Sequence, residues 1–210
     1  MRAGPIDYYF TVTSPWSYIG HLPFLKLAAA SGRAVAFKPV DFGKVFAQSG
    51  GLPLPQRPVQ RRRYRMFELQ RWRDFRGTEL NLRPAHFPTD PSLGNRMTMI
   101  AADQDLDAGA LGQAIMRACW FEEKNVADEA VLIAAADGLG LDGKALLSAA
   151  KGAAGIARAE ELTEEAIAGQ VFGAPTYVID GEPFWGQDRL ELVERALQGR
   201  VEPYKVEGAV

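Results

Sequence analysis

Cysteine and histidine are scarce in this chain: its 210 residues include one cysteine, Cys119, and two histidines, His21 and His86. A single cysteine cannot form an intramolecular disulfide, and such low cysteine use favours a reducing compartment. One cysteine and two distant histidines provide no metal-ligand spacing, so we expect no metal site. Cys119 lies in an apolar helical segment beside Trp120, where a free cysteine is expected to be buried in the core.

Long apolar runs and an excess of one charge sign are also missing. No apolar run approaches the ~20 residues that span a bilayer, and the N-terminus shows no signal-peptide pattern. Lysine and arginine number 24 against 26 acidic residues, a formal net charge of -2. The basic run Arg61-Arg62-Arg63, with Arg65, indicates a solvated helix face rather than a phosphate-binding patch. We therefore expect a cytoplasmic protein that binds neither membranes nor nucleic acid.

The chain opens with the pattern of a strand, a helix and a second strand. Ile6–Val12 is rich in aromatic and β-branched residues and is predicted to be a strand. Ser14 directly before a proline is typical of a helix start, so a helix is predicted over Pro15–Ser31 with Gly32 as its C-terminal stop. Ala34–Phe42 is the second predicted strand, which makes this opening a parallel βαβ unit.

The segment from residue 43 to residue 170 shows almost no strand pattern and many helical ones. Its longest candidate is a basic and aromatic helix over Val59–Arg76. Asp107 and Thr163 are predicted N-caps, and proline-rich stretches at 50–58 and 82–91 are predicted loops. Shorter helices are predicted over Asn95–Asp105, Leu111–Asn125, Asp128–Leu139, Gly143–Lys151 and Thr163–Gln170.

Strand character returns near the C-terminus. Thr176–Ile179 is a short β run, Asp180-Gly181 is a hairpin turn signal, and Glu182–Trp185 is the predicted returning strand. Gln187–Gln198 has the periodicity of an amphipathic helix. The order βαβ, helical block, ββα is that of an α/β fold with a thioredoxin-like arrangement.

Two local features indicate where chemistry takes place in such a fold. In thioredoxin-like proteins the reactive turn follows the first strand, where free N–H groups and the dipole of the first helix stabilise an anion. That turn is Ser14-Pro15-Trp16-Ser17 here, the position of a Cys-x-x-Cys motif with serines at both ends. Gly173-Ala174-Pro175-Thr176 precedes a strand in the position where these proteins carry a cis-proline, so we predict a cis bond before Pro175.

Ordered motifs along nearly the whole chain resemble the kappa-class glutathione transferases and, more closely, the 2-hydroxychromene-2-carboxylate isomerases. The resemblance covers residues 6 to 198. It rests on Tyr-Phe-x-x-x-Ser-Pro-Trp-Ser-Tyr (9–18), Phe-Lys-Pro-Val (37–40), Arg-Tyr-x-x-x-x-Leu-x-Arg-Trp (63–72), His-Phe-Pro (86–88) and Val-Phe-Gly-Ala-Pro-Thr-Tyr-Val-Ile-Asp-Gly-Glu-Pro-Phe-Trp-Gly-Gln-Asp-Arg-Leu (171–190). It implies a DsbA-like thioredoxin domain formed by residues 1–42 and 171–210, with residues 43–170 as an inserted helical domain.

The resemblance also implies a glutathione site. Ser14 takes the position of the catalytic serine, whose hydroxyl donates to the glutathione sulfur and favours the thiolate. The backbone at Ala174-Pro175 pairs with the cysteinyl amide, Gln187 and Asp188 hold the γ-glutamyl end, and Arg61 aligns with a lysine that contacts the glycyl carboxylate. Simpler alternatives stay open: Ser14 as an N-cap, and Asp188 as an acid that complements the helix dipole.

Other residues are predicted to line the substrate cleft, and one segment departs from the family pattern. Trp16, Ser17, His86 and Trp185 are the candidates for the cleft. The two tryptophans either stack on an aromatic substrate or only pack against neighbouring residues. For His86 two alternatives are equally open: it lines the substrate cleft, or it makes a structural contact within its loop. Relatives often carry a glutathione-binding asparagine in the segment that corresponds to Gly50-Gly51-Leu52, so that side-chain contact is absent or replaced here.

The implied activity is a glutathione-dependent cis-trans isomerisation. It interconverts 2-hydroxychromene-2-carboxylate and trans-o-hydroxybenzylidenepyruvate, or a related aromatic pyruvate, in aromatic compound catabolism. The alternative within the same resemblance is a transferase that releases glutathione conjugates of small electrophiles. A thiol-disulfide oxidoreductase is disfavoured because serines stand at both redox positions, and a peptide-binding module without catalysis is a further alternative. Family members are commonly dimers, which implies a homodimer.

Overall fold

The computed structural model of the chain describes residues 4–200 and 202–206. The described residues form a mixed sheet with helices packed around it. The strands are β1 (Ile6–Phe10), β2 (Val35–Pro39), β3 (Thr176–Ile179) and β4 (Glu182–Trp185). The helices are α1 (Pro15–Ser31), α2 (Phe42–Ser49), α3 (Val59–Arg76), α4 (Ser92–Asp103), α5 (Ala108–Trp120), α6 (Glu129–Asp137), α7 (Gly143–Lys151), α8 (Ala153–Ala168) and α9 (Leu190–Leu197), with 3-10 turns at Leu54–Gln56 and Gln187–Arg189.

The sheet confirms the predicted thioredoxin-like order. Its strands lie in the sequence β2-β1-β3-β4. β1 runs parallel to β2, and β3 is antiparallel to both β1 and β4. The β3–β4 hairpin turns at Asp180 and Gly181, whose φ angles of 52° and 88° are those that an Asp-Gly hairpin turn requires. No helix in the described ranges is long and apolar enough to cross a membrane.

Stacked aromatic rings and a buried histidine join the sheet to the helices. Tyr8 on β1 stacks on Phe10 at 4.5 Å and on Tyr177 at 5.4 Å between ring centroids. His21 of α1 is fully buried; its Nε2–H donates to the Gly109 carbonyl of α5 at 2.9 Å, and its Nδ1 accepts from the Tyr8 hydroxyl at 3.1 Å. Burial lowers the pKa of His21 to about 4, so the ring is neutral at pH 7. The histidine therefore packs as a structural link between α1, the sheet and the helical block.

Helix α8 overturns the predicted cap at Thr163. The helix begins at Ala153, and Thr163 lies well inside it. The Thr163 hydroxyl donates to the Ala159 carbonyl at 2.9 Å and accepts the Asp41 N–H at 3.1 Å. The prediction is wrong because Thr163 satisfies an N–H from the start of another helix rather than one from its own first turn.

Helix α2 has no counterpart among the sequence predictions, which extend the second strand through residue 42. The strand ends at Pro39, and Asp41 caps α2 by accepting the Gly43 N–H at 2.8 Å. The predicted cap at Asp107 is confirmed, since its carboxylate accepts the Ala110 N–H at 2.8 Å. The buried position of Cys119 on α5 is also confirmed, and burial raises the pKa of its thiol to about 12.

Helices α2 to α8 lie between β2 and β3 in the chain, which confirms a helical insertion after the second strand. The inserted helices do not have a core entirely of their own, because α4 and α5 contribute to the same buried core as β1 and α1. The domain bounds 1–42, 43–170 and 171–210 stay a prediction. Residues 1–3, 201 and 207–210 of those bounds lie outside the described residues.

Candidate active site

Two cavities meet beside the turn that contains Ser14 and Trp16. We call the one of about 570 Å³ the larger cavity and the one of about 430 Å³, which Ser14 lines, the serine cavity. Arg61, Gln187 and Asp188 line the larger cavity. The residues that line both cavities, and so mark their junction, are Trp16, Arg57, Arg65, Ala174 and Trp185.

Ser14 is the N-cap of α1 and lines the serine cavity at the same time. Its backbone is extended, with φ −83° and ψ 120°, and its Oγ accepts the Ser17 N–H at 3.1 Å. A serine hydroxyl has one hydrogen to donate and two lone pairs. Capping uses a lone pair, so the hydroxyl hydrogen is left to donate to a group in the cavity. The two alternatives for Ser14, cap and catalytic donor, are therefore compatible.

Asn95 of α4 holds the turn that carries Ser14, and no sequence motif identified it. Its Oδ1 accepts the Val12 N–H at 2.9 Å, and its Nδ2 donates to the Thr11 hydroxyl at 3.2 Å and to the Val40 carbonyl at 3.3 Å. The ends of β1 and β2 are thus bridged by one buried amide. An asparagine at the first position of the predicted helix gives no signal for this role, because its partners lie more than fifty residues away in the chain.

The Ala174–Pro175 peptide bond is cis, as predicted. The Phe87–Pro88 bond is also cis, and no pattern in the sequence predicts it. Ala174 is half-buried and lines both cavities. Its N–H and C=O form no hydrogen bond to any residue in the described ranges, so both groups are available to a ligand with an extended backbone.

The residues predicted to hold the γ-glutamyl end lie together in the larger cavity. Gln187 is 2% exposed, and its Oε1 accepts from Arg76 Nε at 3.4 Å. Asp188 is the second residue of the 3-10 turn Gln187–Arg189 before α9 and pairs with Arg189 Nη1 at 2.5 Å. Arg61 of α3 also lines this cavity and is exposed to solvent. The structure thus brings a carboxylate, an amide and a guanidinium to one cavity.

Gly20 on α1 permits the close approach of Gln187. A Cβ at position 20 would lie 2.5 Å from the Gln187 Cβ and 3.0 Å from the Tyr177 hydroxyl. We expect Gly20→Ala to lower the free energy of unfolding by about 1–3 kcal/mol, because the overpacking outweighs the gain in helix propensity of about 1 kcal/mol. Urea denaturation followed by circular dichroism measures the change.

Gly112→Ala on α5 is the matched control for Gly20→Ala. A Cβ at position 112 would meet its nearest neighbour, the Thr98 Cγ2, at an ordinary contact distance of 3.4 Å. This variant is expected to keep or slightly raise stability, by up to about 1 kcal/mol. A Gly20→Ala protein as stable as the Gly112→Ala protein contradicts the close packing of α1 against Gln187.

The predicted cleft residues divide into two groups. Trp16 and Trp185 line both cavities, and the Trp185 side chain is 49% exposed. Ser17 is fully buried and lines neither cavity, and its hydroxyl has no hydrogen-bond partner among the described residues. His86 is exposed and lines neither cavity, whereas its neighbour Phe87 lines the serine cavity. The structure therefore does not bring Ser17 and His86 to the cleft: α1 turns Ser17 into the core, and the loop turns His86 to solvent.

Arg65 and Gly51 lie in two segments that the sequence singled out, the basic run of α3 and the segment that departs from the family pattern. Arg61, Arg62 and Arg63 are exposed, as expected for a solvated helix face, but Arg65 is half-buried and lines both cavities. The solvated-face prediction is therefore wrong for Arg65. A Cβ at Gly51 would lie 2.4 Å from the Phe46 ring. The ring thus takes the space of a side chain in the segment where relatives often carry asparagine.

Comparisons with known proteins agree with this fold and show the family. The DSBA-like thioredoxin domain family model matches residues 5–198. A 2-hydroxychromene-2-carboxylate isomerase of Sphingobium xenophagum is 30% identical over 193 residues, which cover 91% of this chain and 97% of the relative. The isomerase of Pseudomonas putida is 28% identical over 195 residues, covering 91% of this chain and 93% of the relative.

A solved structure of a 2-hydroxychromene-2-carboxylate isomerase is also similar to this chain. The 2-hydroxychromene-2-carboxylate isomerase structure superposes with a TM-score of 0.78 at 29% identity, covering 93% of this chain and 94% of that one. The family model spans the serine turn and the cis-proline, and the isomerase sequences align with nearly the whole chain. This chain is accordingly a member of the 2-hydroxychromene-2-carboxylate isomerase family, a family of enzymes among the DSBA-like thioredoxin domain proteins.

Proposed function

We propose that this protein is a glutathione-dependent cis-trans isomerase. Its proposed reaction interconverts 2-hydroxychromene-2-carboxylate and trans-o-hydroxybenzylidenepyruvate, or a related aromatic pyruvate. The observation that carries the proposal is the placement of the Ser14 hydroxyl at the N-terminus of α1, where its oxygen accepts only the Ser17 N–H among the described residues and shares a cavity with the Ala174 backbone. The isomerase relatives, which align over nearly their full length, support the choice of reaction.

The residues of the two cavities fit glutathione. The free N–H and C=O of Ala174 suit the backbone of its cysteinyl residue. Arg61 suits the glycyl carboxylate, and Gln187 and Asp188 suit the γ-glutamyl end. When bound, glutathione supplies a thiol that adds reversibly to a conjugated double bond and so permits rotation about it. Asp188 must exchange part of its ion pair with Arg189 for the ammonium group of the ligand.

Ser14 has two tasks in this proposal. Its hydroxyl hydrogen donates to the sulfur, which stabilises the thiolate over the thiol and lowers the pKa of the bound thiol. The dipole and the free N–H groups at the N-terminus of α1 act in the same direction. The cap to Ser17 and the Asn95 bridge hold the hydroxyl in place, so little reorganisation is needed when the ligand binds. Trp16 and Trp185 provide aromatic walls for the substrate ring.

Product analysis tests the proposed reaction against the transferase alternative. The enzyme is mixed with trans-o-hydroxybenzylidenepyruvate in large excess over glutathione. An isomerase turns over many substrate molecules per glutathione and leaves the free thiol concentration unchanged at the end. A transferase stops when each thiol has been consumed once. Absence of turnover with any thiol contradicts both readings of the site.

Asp188→Asn tests recognition of the γ-glutamyl end apart from chemistry. We expect the glutathione Kd to rise about 10- to 150-fold, since a charge-assisted hydrogen bond contributes about 1.5–3 kcal/mol. Saturating glutathione should restore most of kcat, because the contact is made equally in ground and transition states. Calorimetric titration with glutathione and steady-state kinetics give the two quantities.

Glu191→Gln is the control, because Glu191 is an exposed acid in the first turn of α9 that lines neither cavity. If Asp188 only complements the helix dipole, both variants lose at most about 1 kcal/mol of stability and keep wild-type affinity. That outcome would assign the γ-glutamyl end to other residues.

The resemblance further supports a cytoplasmic homodimer that acts in aromatic compound catabolism on a small aromatic substrate. The buried single cysteine agrees with a reducing compartment.

A further inference from the structure

Two arginines at the junction of the cavities have no assigned role in glutathione binding. Arg57 precedes α3, and Arg65 lies on its second turn. Both are half-buried, and both line the larger cavity and the serine cavity. Their guanidinium groups therefore stand between the place proposed for glutathione and the cavity that contains Ser14.

Neither arginine is neutralised by an acid within the described part of the chain. Arg57 Nε donates to the Leu52 carbonyl at 2.7 Å. The Arg65 guanidinium lies 5.9 Å from the Phe87 ring and 6.0 Å from the Trp120 ring, and Nη1 makes a long contact of 3.9 Å to the Met66 sulfur. These contacts leave most of the donors of both guanidinium groups without a strong acceptor.

Asp41 is the acid that also lines the serine cavity, and it does not form an ion pair with either arginine. Its Oδ1 is occupied by the Gly43 N–H at the start of α2. Burial and repulsion by Arg57 lower the pKa of Arg65 to about 10. Burial and repulsion by Arg61 lower the pKa of Arg57 as well. Arg57 thus repels both Arg61 and Arg65 along the cavity wall, and a bound anion would relieve this repulsion.

An unpaired and partly buried charge destabilises a fold, so its presence in a cavity points to a ligand of opposite charge. The planar donors of arginine match the geometry of a carboxylate. The rest of the serine cavity is largely apolar, with Phe42, Phe46, Leu54 and Phe87 in its wall. A ligand with an aromatic ring and a carboxylate complements both features.

We propose that Arg57 and Arg65 bind the carboxylate of the aromatic substrate and make the enzyme select acids over neutral compounds of the same shape. The inference rests on the proposed function in one respect: Arg61 and the turn before α9 are taken to hold the carboxylates of glutathione. Arg57 and Arg65 are then available for the carboxylate of the substrate, because both line the serine cavity together with Ser14.

The test compares benzylidenepyruvate with its methyl ester, titrated calorimetrically into the protein without glutathione, so that no reaction takes place. We expect the wild type to bind the acid about 10- to 100-fold more tightly than the ester, the range for a charge-assisted hydrogen bond. Arg65→Gln and, separately, Arg57→Gln should lose most of this preference. Added salt should weaken binding of the acid and leave binding of the ester unchanged.

Arg62→Gln is the matched control, because Arg62 is exposed on the same helix and lines neither cavity. It should keep the preference for the acid. Thermal melts check the fold: Arg65→Gln should melt at or above the wild-type temperature, since an unpaired charge is removed. Arg57→Gln, outside the helix, serves as the second variant if Arg65→Gln does not fold.

Two results would overturn the inference: equal affinity of the wild type for acid and ester, or an unchanged preference for the acid in both variants. An unchanged preference together with a raised glutathione Kd in the variants would assign the arginines to glutathione. Failure of the proposed isomerase reaction is distinguishable, because acid selection is measured without glutathione and without turnover.

Discussion

Ser14→Ala is expected to lower kcat/KM about 100-fold with glutathione and an aromatic enone acid, the scale of losing one positioned hydrogen bond in a catalytic site. The Ser14 Oγ accepts the Ser17 N–H, so its hydrogen is free for the sulfur, and alanine removes both interactions. The pKa of the bound thiol should rise, because the thiolate loses a donor. Steady-state kinetics and a pH titration of the thiolate ultraviolet absorbance measure the two effects.

The cap that Ser14 forms has a matched control elsewhere in the chain. Asp142 caps α7 by accepting the Ala145 N–H at 2.9 Å, and it lines neither cavity. Asp142→Ala and Ser14→Ala should each cost about 1 kcal/mol of stability, but only Ser14→Ala should affect catalysis. Wild-type kcat/KM in the Ser14→Ala protein would remove the hydroxyl from the mechanism and leave it as a helix cap.

Acidification from pH 6.5 to pH 4 is expected to lower the free energy of unfolding by about 3 kcal/mol through His21 alone. The pKa of this histidine is about 4 in the folded protein, against about 6.5 for an unperturbed histidine. Above pH 6.5 the ring is neutral in both states, and its full contribution to stability is present. Between the two values the unfolded chain binds a proton that the folded protein does not, so stability falls by about 1.4 kcal/mol per pH unit.

The physical reason lies in the surroundings of the ring. Protonated Nδ1 could no longer accept from the Tyr8 hydroxyl, and the charge would be buried between the sheet and α5. His21→Gln retains an N–H for the Gly109 carbonyl and cannot titrate. Urea denaturation of both proteins at several pH values isolates the His21 contribution, because the carboxylates titrate in both. If the free energy of unfolding falls equally in the two proteins between pH 6.5 and 4, the predicted contribution of His21 is contradicted.

Local sequence signals predicted the elements that need only short-range interactions. Ser14 and Gly32 bound α1 as expected, with Gly32 in the left-handed conformation at φ 69°. The Asp180-Gly181 turn joins β3 and β4, and Asp107 caps α5. In each case the deciding groups lie within a few residues of one another, so the chain carries the information locally.

Predictions failed where the deciding partner is distant in the chain. Thr163 looks like an N-cap in isolation, but its hydroxyl accepts an N–H from residue 41 inside a continuous helix. Asn95 carries no motif, and it bridges β1 and β2 only because α4 packs across their ends. Helix α2 was missed because Asp41 and Phe42 follow directly on a strand-like run.

Residue types at fixed spacing predicted the thioredoxin-like fold class, the serine at the start of α1, the cis-proline before β3 and the family, because folding does not alter that spacing. Which side chains reach the cavities depends on packing between elements that are distant in the chain. On α1 and in the loop before α4, packing turned Ser17 into the core and His86 to solvent. Within the basic run of α3, it placed Arg65 between the cavities. The sequence fixes the angular position of a side chain on its helix, but the packing of neighbouring elements decides whether that position faces a cavity, the core or solvent.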